Sequence, residues 1–180
     1  MISKLFTRNK CKQGFLNCNG ITARIKNNDI IVTNNVPDIT ARIDPCIGDN
    51  SITLSLDGRF KIIKSNMELD GRRVINSTMG VSTKSCKFNK CGEDGKSYFI
   101  INNDECVIVS FNERVYTPNK NIIKYVQLMP KLTKLGLKID NNIINKDGEI
   151  EVTISNTSKY PVIVCKDQKV LSMYFYQIGE

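Results

Sequence analysis

The 180-residue sequence contains no histidine. Imidazole metal ligands are therefore excluded, and a structural zinc site would have to be built from thiolates. No apolar run approaches the length of a membrane span. The opening stretch MISKLFTRNKCKQG also lacks the long apolar centre of a secretory signal. The expectation is a soluble protein with no membrane contact, cytoplasmic within a cell or virion-associated if the source is a virus. Helix signals are few, and no nucleic-acid-binding motif occurs.

Seven cysteines stand at 11, 18, 46, 86, 91, 106 and 165. An odd number without export signals argues for reduced thiols, several of them buried as small apolar residues. Cys86 and Cys91 are separated by four residues, and a zinc site would need Cys11 and Cys18 as the second pair. Loop thiols are the competing reading. The formal charge is +8, which suits an anionic partner: a nucleotide, nucleic acid or an acidic protein. Lys4, Arg8, Lys10 and Lys12 make the N-terminus locally basic, either a solvated tail or a contact surface. Heavy use of Asn, Lys and Ile is what an AT-rich genome produces, so a virus or a low-GC bacterium fits.

With 41% hydrophobic and 24% charged residues the chain reads as globular, and its length suits one domain over 1–180. Short β-branched or alternating runs recur at 29–33, 51–56, 60–64, 98–101, 106–111, 149–155, 160–165 and 170–175. Turn clusters rich in Asn, Asp, Gly and Pro lie between them. This pattern predicts an all-β fold, a distorted jelly roll or β-barrel, with one or two short helices. Helices are expected near 2–12 and within 125–137, where Leu128, Leu132 and Leu135 fall at helical spacing and Pro130 limits the length. The pentapeptide ITARI occurs at 21–25 and 39–43 and reads as a local strand pair or as chance. Residues 1–28 read as a basic N-terminal extension, and 77–97 as a long polar loop.

Several segments fall in a familiar order. RIDPCIGDNSITLSLDGRFKII (42–63) carries a proline, a serine, alternating leucines, a glycine and a phenylalanine at Pro45, Ser51, Leu54, Leu56, Gly58 and Phe60. YFIINNDECVIVSFNERVYTPNKN (98–121) supplies strand, turn and strand, with Glu105, Glu113 and Pro118. PKLTKLGL (130–137) follows, and then KDGEIEVTISNTSKYPVIVCKDQKVLSMYF (146–175), with Asn156, Pro161, Val170 and Phe175. In this order and spacing the chain, over roughly 29–176, resembles the dCTP deaminase and dUTPase superfamily, dCTP deaminases most of all. The resemblance implies a β-rich homotrimer with active sites between subunits, acting on pyrimidine deoxynucleotides.

That chemistry sets demands the residues answer only in part. A triphosphate needs cations and donors at a glycine-led turn. The family's Gly-Arg-Ser-Ser run and its second arginine align with Leu128, Met129, Pro130, Lys131 and Lys134. Lys131 and Lys134 remain as point charges without arginine's planar fork, and Pro130 donates no N–H. The catalytic carboxylate of the deaminase hairpin aligns with Asp147, one methylene shorter than glutamate. Glu149, beyond Gly148, is expected to point elsewhere. The early acid of dUTPases aligns with Thr53, and the base-reading glutamine of the last strand with Ser172. After that strand the sequence reads YFYQIGE, without the family's closing tail. The expected function is that of a non-catalytic trimer with a structural, regulatory or nucleotide-sensing role. The alternative is an active dCTP deaminase or dUTP diphosphatase with Asp147 as base, Lys131 and Lys134 on phosphate, and magnesium as phosphate partner. No other cofactor is expected.

Overall fold

The computed structural model describes residues 13–34, 43, 45–64, 67–69, 72–74, 82–86, 89–90, 97–145 and 147–179. Alternation builds most of it. In β14 (Ile150–Asn156) the side chains of Ile150, Val152 and Ile154 are buried, while Glu151 and Thr153 between them stay half-exposed. The other strands are β1 (Gly14–Phe15), β2 (Ile31–Asn34), β3 (Cys46–Ile47), β4 (Ser51–Lys64), β5 (Met67–Leu69), β6 (Arg72–Val74), β7 (Ser82–Cys86) and β8 (Asn89–Lys90). They continue as β9 (Ser97–Ile101), β10 (Cys106–Phe111), β11 (Glu113–Tyr116), β12 (Ile122–Leu128), β13 (Leu137–Ile144), β15 (Val162–Cys165) and β16 (Lys169–Gln177). Two helices accompany them, α1 (Cys18–Lys26) and α2 (Pro130–Lys134).

The main sheet is antiparallel and curls into a half-barrel. Its spine runs β12, β16, β4, β10, β14, β13, with β1 also on β16 and with β3 and β7 also on β4. Smaller sheets pair β2 with β11, β15 with β9 and β8, and β5 with β6. The hollow of the curl is filled by Leu54, Leu56, Phe60, Val107, Val109, Phe111, Val152, Leu171, Met173 and Phe175. Phe99 of β9 stacks on Phe60 with ring centroids 4.3 Å apart, which ties the three-stranded sheet to the main one. The all-β expectation therefore holds.

Five expectations change in detail. The runs 51–56 and 60–64 form one 14-residue strand, which passes through Asp57–Arg59 with Gly58 at φ +97°. The irregular register between Val109 and Phe111 of β10 lies beside that passage. The helix expected within 125–137 is strand through Leu128 and helical only over Pro130–Lys134. Ile122, Val126 and Leu128 alternate inward, and Pro130 suits the first helical position, where no N–H is needed. The first ITARI copy is helical, inside α1, while its second copy, apart from Ile43, lies outside the described residues. Within 77–97, Ser82–Cys86 and Asn89–Lys90 are strand. The helix expected at 2–12 also lies outside the described residues. Within 1–28, β1 and α1 join the fold, and Ile21 is fully buried.

Candidate functional site

Asp147 sits where the sequence puts it, in the hairpin between β13 and β14. Asn145 N–H donates to the Glu149 carbonyl at 2.8 Å, Gly148 N–H to the Asn145 carbonyl at 3.0 Å, and Glu149 N–H to Asp147 Oδ1 at 3.2 Å. The turn needs Gly148, at φ +84°. A Cβ there would lie 2.8 Å from the Val115 carbonyl carbon and 2.9 Å from Tyr116 N. The carboxylate of Asp147 is more than half exposed, and its Oδ2 lies 3.6 Å from Arg114 Nη1. Glu149 pairs with Arg59 of β4 at 3.5 Å, whereas Asp147 pairs with Arg114, so the two acids of the turn have different cationic partners.

Lys131 and Lys134 lie on α2, at the other end of β13. Leu132 between them is buried and anchors the helical turn, leaving both ammonium groups in solvent. Beside the helix a groove of about 780 Å³ opens between the edges of β12 and β13 that pair with no other described strand. Lys134, Lys138, Tyr125, Gln127 and Asp140 line it, and Lys138 is paired with Asp140 at 3.4 Å. Lys131 and Asp147 are not among the lining residues. At roughly 3.3 Å per residue, β13 separates the two ends by about 23 Å. One chain therefore does not bring Asp147 to Lys131 and Lys134.

Sheet register does unite two other aligned positions. Thr53 of β4 faces Ser172 of β16 across the ladder. Cys46 of β3 flanks Thr53 on one side, and Gln127 of β12 flanks Ser172 on the other. The result is a row of four uncharged polar side chains on the outer face, with no carboxylate in it. Farther along that face, toward the end of β16, Phe15, Tyr176 and Ile123 form a second row, with Phe15 edge-on to Tyr176 at 5.2 Å. Phe15, Ile123 and Tyr125 are each half-exposed or more.

The sequence gives no role to the network at the start of β11. Glu113 accepts from Ser55 N–H at 2.8 Å and from the Ser55 hydroxyl at 2.7 Å. Asn112 Nδ2 reaches Ser55 Oγ at 3.2 Å, the Leu56 carbonyl at 3.2 Å and Asp167 Oδ1 at 2.9 Å. Burial pushes the Glu113 carboxyl above its ordinary range, and the two hydrogen bonds from Ser55 pull against that rise. The network ties β4, β11 and the turn before β16 together. Glu113 marks the resemblance, but its partner is 58 residues away in sequence, so only the fold reveals the pairing.

Among the described residues no group of three or more His, Cys, Asp or Glu is placed to hold a metal ion. Of the four zinc candidates, Cys18 is exposed and Cys86 half-buried, while Cys11 and Cys91 lie outside the described residues. No helix among the described residues is long and apolar enough to cross a membrane. No family model and no curated protein matches the sequence. Among solved structures, the chain is similar to the native dUTPase of EIAV: 23% identity, TM-score 0.41, 51% of this chain and 82% of that chain covered.

Proposed function

We propose that this chain is a non-catalytic protein on a dUTPase- and dCTP deaminase-like β scaffold, working as a homotrimer in a structural, regulatory or nucleotide-sensing role. One observation carries the reading. The positions that the resemblance assigns to chemistry are filled by residues that serve the fold. Leu128 closes β12 inside the core, Pro130 opens α2, and Thr53 and Ser172 form an uncharged row where an acid and a glutamine are expected. Hydrolysis or deamination needs a positioned carboxylate next to the substrate. Asp147 instead caps its own turn and faces Arg114.

The trimer reading is supported by the exposed side chains of Phe15, Ile123 and Tyr125 on this face, an apolar patch of the kind that a second copy covers. Lys131 and Lys134, with the groove beside α2, are the phosphate contacts of a sensing role, and magnesium would enter only with the phosphates of a bound triphosphate. The overall charge of +8 leaves contact with nucleic acid or an acidic protein as further roles for the same surface. The alternative, an active dCTP deaminase or dUTP diphosphatase, is favoured by one feature, the exposure of Asp147.

The test is to incubate the protein with each deoxynucleoside triphosphate, following binding and turnover in the same samples, with the molar mass measured by light scattering. Binding without turnover supports nucleotide sensing. Neither binding nor turnover supports a structural role. A mass of one chain contradicts the trimer.

A further inference from the structure

β3 and β16 flank β4 on opposite sides, and their register places two chemically complementary groups together. Cys46 pairs with Thr53, and Lys169 pairs with Ser55 two residues farther along. Residues two apart on a strand share a face, so the thiol and the amine converge over β4. Lys169 Nζ lies 3.0 Å from Cys46 Sγ. Cys46 is exposed, as is Lys169, so a small oxidant reaches the pair without any opening of the fold. The row of Thr53 and Ser172 lies immediately beside it.

We propose that Cys46 and Lys169 form an oxidative modification site, in which hydrogen peroxide joins Sγ to Nζ through one oxygen atom and staples β3 to β16. The chemistry balances over two equivalents of peroxide. The first transfers an oxygen atom to the Cys46 thiol, giving a sulfenic acid and water. The second accepts two electrons as the sulfenic oxygen closes on the neutral Lys169 amine. An O–H and an N–H bond break, an N–O bond forms, and two waters leave. The chain gains one oxygen and loses two hydrogens. An interposed oxygen suits a 3.0 Å separation, whereas a direct S–N bond would require the two side chains to close that gap.

In the reduced protein the contact favours the ammonium form: the hydrogen bond to Cys46 pushes the Lys169 amine above its ordinary range. Oxidation of the sulfur replaces that thiol contact, and the exposed ammonium gives up a proton to solvent before the amine enters the second step. The lysine thus diverts the sulfenic acid from its usual fates, capture by another thiol or further oxidation. β3 is two residues long and paired only to β4 among the described strands, so a covalent tie to β16 fixes the segment beside the Thr53–Ser172 row.

The experiment treats wild type, C46S and K169R with graded peroxide, then maps proteolytic peptides by mass and repeats the mapping after dithiothreitol. K169R keeps a cation at the site but cannot form the link. Expected is a joined pair of peptides containing Cys46 and Lys169, heavier than their sum by one oxygen less two hydrogens. It should be released by thiol and absent from both variants. In K169R, Cys46 should instead be trapped by a sulfenic-acid reagent several-fold more than in wild type. Joined peptides lacking the oxygen would overturn the proposal. So would equal trapping of Cys46 in wild type and K169R with no joined peptides in either.

Discussion

Two residues show how much of this sequence serves geometry. Gly148 combines a left-handed backbone with close approach to Val115 and Tyr116, and both block a side chain. Gly148→Ala is expected to cost on the order of 2 kcal/mol in denaturant unfolding, because backbone strain and a backbone clash act together. An unchanged midpoint would show that the turn relaxes freely. Glu113 makes the opposite case, a half-buried acid whose partners do not fully offset desolvation. Its folded carboxyl titrates above the ordinary carboxylate range. The folded state therefore holds this proton more tightly than the unfolded chain does. The associated stability is full below the ordinary carboxyl value and is lost as pH rises through the raised one. Glu113→Gln keeps an acceptor for Ser55 N–H and removes the charge. The stability difference between Glu113→Gln and wild type should grow in favour of the variant across that window and then level off. Glu113→Ala, which leaves the Ser55 donors without their acceptor, should be destabilised by about 1–3 kcal/mol. A Glu113→Gln variant that weakens the protein at neutral pH would contradict this electrostatic reading.

At the scale of elements, α1 turns on its cap. Asn17 accepts from Gly20 N–H at 2.9 Å, and Arg24 and Lys26 occupy the last turn, where the helix dipole favours cations. Asn17→Ala should cost about 1 kcal/mol by thermal or denaturant unfolding, and Asn17→Asp should restore most of it. Here lies the limit of what the sequence tells. Ile21 and Ile25 are four apart, a spacing that puts them on one face of either a strand or a helix. The pentapeptide alone is therefore ambiguous, and the cap outside it decides. Leu128, Leu132 and Leu135 deceive for a similar reason, since helical spacing runs across a strand end and a single helical turn. Strands were legible wherever alternation was strict, as over residues 150–154. β12 and β13 were missed because Lys124, Gln127 and the run Asp140–Asn142 interrupt the apolar pattern, and β11 because its four residues open with Glu113 and Arg114. Lys124 stands at a half-buried position of β12, where its Nζ donates to the Val115 carbonyl at 3.0 Å. Burial lowers its amine below the ordinary lysine range. The candidate site was legible as a set of aligned positions, Asp147, Lys131, Lys134, Thr53 and Ser172. Their separation into two ends of β13 and one outer row was not, because sheet register is a long-range property.

On the scale of the whole molecule, one chain supplies a curled sheet with an apolar outer row, a groove with a lysine at its edge and a carboxylate at the end of β13 opposite Lys131 and Lys134. A homotrimer that covers the apolar row leaves the residue types at these positions unchanged, so assembly alone does not restore the missing arginine, acid and glutamine. The direct measurement is turnover of dUTP and dCTP by the purified protein with magnesium at saturating nucleotide, alongside Asp147→Asn. Ordinary enzymes turn over at about 1–1000 per second. The expected result is no product above the uncatalysed background in either protein. Turnover in the ordinary range by wild type, abolished in Asp147→Asn, would contradict the non-catalytic reading.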